Sequence, residues 1–180
     1  MPVPKVIKTR TTAQSKWFQI ETVTVAYNNE QQIPLERIRT PLKQAVIIAP
    51  IFDNHFILAR EFMVGNEKMG LTFPKGKVDL GETPLQAAHR EMREEIGYDA
   101  NELHLLKVVD SMPGYIQHET HLFLAQDLYL NPLNSGDEPD TLEQQPWKVD
   151  DYRHLLNNAA FTDARNVATL MLAMAHLNNH

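Results

Sequence analysis

Cysteine is absent from the 180-residue chain. That excludes a disulfide framework, a thiolate zinc site and a cysteine nucleophile. Positive charge is also scarce: 17 Lys and Arg stand against 23 Asp and Glu, a formal net charge of −6. Such a balance leaves no electrostatic footprint for wrapping duplex nucleic acid, so no nucleic-acid partner is expected. No apolar run approaches the ~20 residues of a membrane helix. Residues 1–18 hold no apolar core of signal-peptide length. No membrane partner is expected, and the expected location is cytoplasmic. Internal repeats, low-complexity tracts and a His-Glu-x-x-His zinc motif are missing too, and the eight histidines form no recognisable site.

What is present is ordinary globular material, 43% apolar and 22% charged. The length predicts one domain, residues 1–180, with a core over 41–180. Residues 1–40 read as a semi-independent N-terminal strand region. Residues 18–27 (FQIETVTVAY) alternate at period two and predict a half-buried strand. Residues 45–52 and 56–62 flank Asp53-Asn54-His55, a hairpin signal weakened by Pro50. Further strands are expected over 103–109 and 120–125. Helices are expected over 84–96, 149–156 and 163–177. The first has Thr83 as N-cap, Pro84 at its first position, Gln86 completing a capping box, and Gly97 as its stop. Residues 131–145 read as a polar loop, either mobile or an active-site lid. The fold class expected from this pattern is α/β.

The most informative stretch is 76–98, GKVDLGETPLQAAHREMREEIGY. At 100° per residue, Leu85, Ala88, Met92 and Ile96 cluster on one side and are expected to face the core. Glu91, Glu94 and Glu95 lie beside that stripe, with Arg90 as the one obvious intrahelical partner, four before Glu94. Carboxylates near a helix C-terminus oppose the macrodipole. A solvated polar face would explain them; so would a hard divalent cation, which takes carboxylate oxygens and keeps positions open for phosphate. The glycine loop ahead of the helix, with Glu82 just before the N-cap, favours the cation.

Gly76, Glu82, Arg90, Glu91, Met92, Glu94, Glu95 and Gly97 stand at the positions of Gly-x5-Glu-x7-Arg-Glu-U-x-Glu-Glu-x-Gly-U, where U is a bulky aliphatic residue. The segment resembles the box of the Nudix hydrolase superfamily, departing from it only at Tyr98. The resemblance implies an α/β/α sandwich around a mixed β-sheet, with an N-terminal antiparallel strand extension. It also implies hydrolysis of a nucleoside diphosphate linked to another moiety, with Mg²⁺ or Mn²⁺. By position in the motif, Glu91 and Glu95 would be the main metal ligands, with Glu94 beside them and the backbone carbonyl of Lys75 as a further one. Arg90 would orient the carboxylates, and Glu82 would support the loop or the metal shell.

Substrate class lies outside the box. Pro113, 16 residues after Gly97, resembles the mark of the ADP-ribose pyrophosphatase group of Nudix proteins, although an ordinary Pro-Gly turn explains it as well. Residues 36–39, 60–62, 125–128, 136–139 and 164–167 are similar to the same group. Its members act on ADP-ribose, NADH and diadenosine polyphosphates, releasing AMP, and often dimerise through their N-terminal strands. The implied partner is a small nucleotide containing ADP, and the implied assembly a homodimer. Arg60 matches a substrate contact of that group, but Met63 replaces the second basic residue many relatives carry. Arg37 and Arg39 are candidates to make up that loss. Trp17, Phe18 and Tyr27 are either adenine-stacking platforms or filler of the sheet core or of an interface. The matched general base is Glu138, with Glu119, Asp137 and Asp140 as rivals. A Nudix hydrolase for another nucleotide and a non-hydrolytic ADP-ribose-binding module are the alternatives; retention of all four box glutamates speaks against the second.

Overall fold

The structure, a computed structural model, describes residues 3–27, 31–133 and 142–179. It divides into two compact units, residues 1–43 with 110–119, and residues 44–109 with 120–180.

In the first unit, β1 (Lys5–Gln14) pairs antiparallel with β2 (Gln19–Ala26). Strand β2 pairs in turn with the first part of β3 (Gln32–Phe52), Glu21 standing opposite Arg37. The alternation over 18–27 appears as expected, but its buried phase includes a charge. Glu21 is buried in step with Val23, while Ile20 is exposed. Strand β1 falls within the expected N-terminal strand region, but no period marks its bounds because it has no buried phase: all ten of its residues are exposed.

The second unit is built by period-two alternation into two cores. Val46 and Ile48 of β3 enter one apolar cluster, Ile47 and Ala49 the other. Strand β4 (His55–Met63) does the same, with Ile57 in the first cluster and Phe56 and Leu58 in the second. Strand β8 (Ile116–Leu130) contributes Phe123 and Ala125 to one side, Leu122 and Leu124 to the other. Strands buried on both faces need a helical layer on each. Helix α1 (Pro84–Glu95) covers the first side with Ala87, Ala88 and Met92. Helices α2 (Tyr152–Leu156) and α3 (Ala164–Leu177) cover the second with Leu155, Leu170, Ala173 and Met174. This is the expected α/β/α layering.

The remaining strands are β5 (Lys68–Thr72), β6 (Lys75–Lys77), β7 (Tyr98–Asp110) and β9 (Glu143–Lys148). Strand β4 lies between β5 and β9, antiparallel to both, and β6 pairs with residues 45–47 of β3. The hairpin between β3 and β4 turns on Asp53 and Asn54, both at positive φ, the geometry of a two-residue hairpin loop. Pro50 does not interrupt its strand.

Three local expectations are corrected. Leu85 does not face the core: it lies in the first helical turn and is 46% exposed, while the apolar contact starts at Ala87. The buried stripe of α1 instead takes in Glu91 and Glu95. The polar segment 131–145 is not loop throughout, because Glu143, Gln144 and Gln145 pair with Arg60, Ala59 and Leu58. Among the described residues, no helix is long and apolar enough to cross a membrane.

Candidate active site

Helix α1 is fixed at both ends by local chemistry. The Gln86 N–H donates to Thr83 Oγ1 at 3.2 Å and the Thr83 N–H donates to Gln86 Oε1 at 2.8 Å, closing the capping box. Removing such a cap costs about 1 kcal/mol. At the other end Gly97 takes φ +73°, a left-handed conformation that stops the helix. Ahead of it, Gly81 at φ +86° turns the loop so that Glu82 points back along the helix. The Asp79 N–H donates to Glu82 Oε2 at 3.1 Å.

Arg90 is the hub of this loop and helix. Its Nε and Nη2 donate to the two oxygens of Glu82, each at 3.0 Å, a bidentate pair. Nη1 donates to Glu91 Oε1 at 2.7 Å and to Glu94 Oε2 at 3.0 Å, and Nη2 also reaches the Lys77 carbonyl at 2.9 Å. Glu82 holds the guanidinium most strongly, and the Arg90 pKa is pushed still further above its ordinary value. The hydrogen bond from Arg90 holds the Glu82 carboxyl below the usual carboxylate range despite partial burial.

Glu91 and Glu95 are the sunken pair, 6% and 4% exposed. Both approach the strand that opens the box. Glu95 Oε2 accepts from the Lys75 N–H at 3.1 Å. The Glu91 carboxyl lies against Gly76 so closely that a Cβ there would overlap it. Any side chain at position 76 would require the Glu91 carboxyl to move. The Lys75 side chain pairs with Glu61 of β4.

Among the described residues no three acidic or histidine side chains already converge as a ligand cage. The donor chemistry nonetheless fits a hard divalent cation. The donors are all oxygen, Glu91 and Glu95 are one helical turn apart, and both meet the backbone of 75–76. The stretch 76–98 holds five carboxylates against Lys77, Arg90 and Arg93, a local charge of −2.

Behind α1, His89 Nδ1 lies 2.5 Å from Asp99 Oδ1. Asp99 also accepts from the Ala100 N–H at 2.8 Å and the Tyr129 hydroxyl at 3.2 Å. Burial raises the Asp99 pKa, but these bonds outweigh it and hold the carboxyl low.

The other expected site residues are placed as follows. Arg60 is exposed on β4, opposite Leu71 and Glu143. In the first unit, Arg37 and Arg39 share one carboxylate: Glu21 accepts from Arg37 Nε at 2.8 Å and Arg39 Nη1 at 3.4 Å. Pro113 is exposed in a tight turn closed by the Tyr115 N–H on the Met112 carbonyl at 2.9 Å. Trp17, Phe18 and Tyr27 are exposed in the single chain, so none is sheet core. Glu119 is exposed on β8. Glu138, with Asp137 and Asp140, lies outside the described residues.

Sequence reasoning passed over Glu21, although a glutamate in phase with Val23 and Val25 signals a buried charge awaiting partners. It also passed over Glu61 and Asp99, for which no periodicity speaks.

A catalytic class is now defined by fold and site together: an α/β/α layer structure presenting a glycine-loop-helix carboxylate cluster. The NUDIX domain profile matches residues 41–170, and the chain belongs to that family. It is 40% identical over 169 residues to the ADP compounds hydrolase NudE of Escherichia coli (strain K12), covering 94% of this chain and 90% of that one. An ADP-ribose pyrophosphatase of Bacillus subtilis (strain 168) is 28% identical over 120 residues, 66% of this chain and 65% of its own. A crystal structure of an ADP compounds hydrolase superposes with a TM-score of 0.93 at 38% identity, over 99% of this chain and 96% of that one.

Proposed function

We propose that this protein hydrolyses the pyrophosphate bond of ADP-linked small molecules, ADP-ribose, NADH and diadenosine polyphosphates among them, and releases AMP. The observation that carries the proposal is the sunken Glu91–Glu95 pair set against Lys75 and Gly76. Likeness along nearly the whole chain to an ADP compounds hydrolase supports the substrate class. Glu91, Glu95, Glu94 and the Lys75 carbonyl would hold Mg²⁺ or Mn²⁺. The ion supplies neutralisation of phosphoryl oxygens and a more acidic bound water. Arg90 fixes the carboxylates of Glu91 and Glu94 through charge-assisted bonds, and Glu82 locks Arg90 to the loop. Glu138 serves as general base by its place in the motif pattern. Arg37, Arg39, Arg60 and the Pro113 turn contribute to binding the nucleotide. The protein works as a homodimer in the cytoplasm.

The test is AMP release from ADP-ribose, NADH, diadenosine triphosphate and GTP at equal Mg²⁺. The ADP compounds should turn over in preference to GTP. Preference for GTP, or tight ADP-ribose binding with no AMP formed, would overturn the proposal.

A further inference from the structure

Between β5 and β6 the chain passes through Phe73 and Pro74, and this joint is held from outside the strands. Asn166 of α3 is fully buried, as are Thr72 and Phe73. Its Oδ1 accepts from the Phe73 N–H at 3.1 Å, and its Nδ2 donates to Thr72 Oγ1 at 3.0 Å. The Thr72 hydroxyl donates onward to the Phe73 carbonyl at 2.9 Å. On the far side, the Pro74 carbonyl accepts from the Ile48 N–H at 2.9 Å. The next residue is Lys75, whose N–H meets Glu95.

The Asn166 amide thus meets the Phe73 N–H with its oxygen and the Thr72 hydroxyl with its nitrogen, two contacts made from the two ends of one planar group. A buried network of this kind tolerates little displacement, because each bond broken leaves a group that water cannot reach. The joint in turn sets where the Lys75 amide and carbonyl lie relative to Glu95.

We propose that Asn166 is a positioning residue of the cation site, acting through the Phe73–Lys75 segment on Glu95. It touches neither cation nor nucleotide; it fixes the backbone against which Glu95 is set. This rests on the metal-dependent reading above, and the measurement is metal binding itself.

Mn²⁺ binding to the full chain, followed by electron paramagnetic resonance of the free ion without nucleotide, tests it. Asn166→Ala should bind Mn²⁺ about tenfold more weakly than wild type, the scale on which outer residues tune a metal site. Thr72→Val should weaken binding by a smaller factor, and Thr72→Ser, which keeps the hydroxyl, should restore it. Leu170→Ala, a core truncation on the same helix, should lower the melting temperature and leave Mn²⁺ affinity unchanged. Should Asn166→Ala fail to fold, the Thr72 pair carries the same comparison. Unchanged affinity in Asn166→Ala or Thr72→Val, or equal weakening in Leu170→Ala, would overturn the inference, as would a wild type that binds no Mn²⁺. A wild type that binds Mn²⁺ but releases no AMP would overturn the hydrolase proposal alone.

Discussion

Two clusters in this molecule use the same functional groups in inverse proportion. In the second unit one arginine, Arg90, serves Glu82, Glu91 and Glu94, with Glu95 sunk beside them. In the first unit one glutamate, Glu21, serves Arg37 and Arg39. Each minority member is fully engaged by its neighbours and acts as a clamp. By formal charge the Arg90 cluster is rich in carboxylates and the Glu21 cluster in guanidinium groups. A cluster rich in carboxylates suits a cation, and one rich in guanidinium suits an anion such as a phosphate. The overall charge of −6 hides this division.

The comparison breaks most visibly at the carboxylate end. Glu95→Gln or Glu91→Gln removes a charged oxygen donor while keeping shape, and turnover should fall by roughly a hundredfold or more. The melting temperature should stay near that of wild type. Near-normal turnover of both variants at saturating Mg²⁺ would remove these residues from the site.

Gly76→Ala comes next. The added methyl must displace the Glu91 carboxyl, so turnover should fall by about tenfold to a hundredfold with no catalytic group altered. Steady-state rates over a Mg²⁺ series check it, and a rate equal to wild type would show that Glu91 can move without consequence.

At the arginine end, Arg37→Ala should raise the KM for ADP-ribose about tenfold, the loss of one charge-assisted contact, and change kcat little. An unchanged KM would leave the Glu21 cluster as a purely structural clamp.

The smallest effect is on stability against pH. The hydrogen bond from Arg37 chiefly lowers the Glu21 pKa below its ordinary 4.5, with burial opposing. A carboxylate lowered in the folded state stabilises above its unfolded pKa and loses that contribution as pH falls through the folded one. Urea midpoints of wild type and Glu21→Gln should therefore differ at about pH 6 and converge below pH 4.5. A gap that persists in acid would place the contribution elsewhere.

Much of the second unit was legible from sequence because its signals are local. The capping box at Thr83, the stop at Gly97 and the spacing of Arg90 and its glutamates all lie within 23 residues, 76–98. The buried strands around Val46 and Leu122 announced themselves by unbroken apolar runs. What escaped has no period to read. Strand β1 is exposed throughout, β6 is three residues long, and β9 lies inside a polar stretch whose pairing with β4 is set by tertiary contact. Leu85 misled because a helical wheel assumes that the whole helix touches the core, and in α1 burial begins only at Ala87. The partners of Lys75 and Phe73 lie on other elements, and no spacing rule connects Phe73 to Asn166.

That last separation carries a kinetic consequence. The bonds that organise Arg90 close short loops: Glu82 is eight residues away, and the capping box spans three. The bond from Phe73 to Asn166 spans 93 residues. Short closures form early and long ones wait for most of the chain to collapse. On a ribosome the carboxylate helix is complete long before residue 166 has been made. In refolding followed by pulsed hydrogen exchange, the amides of α1 should gain protection before that of Phe73. The carboxylates are thus assembled first, and the backbone that aligns them is locked last, by the end of the chain.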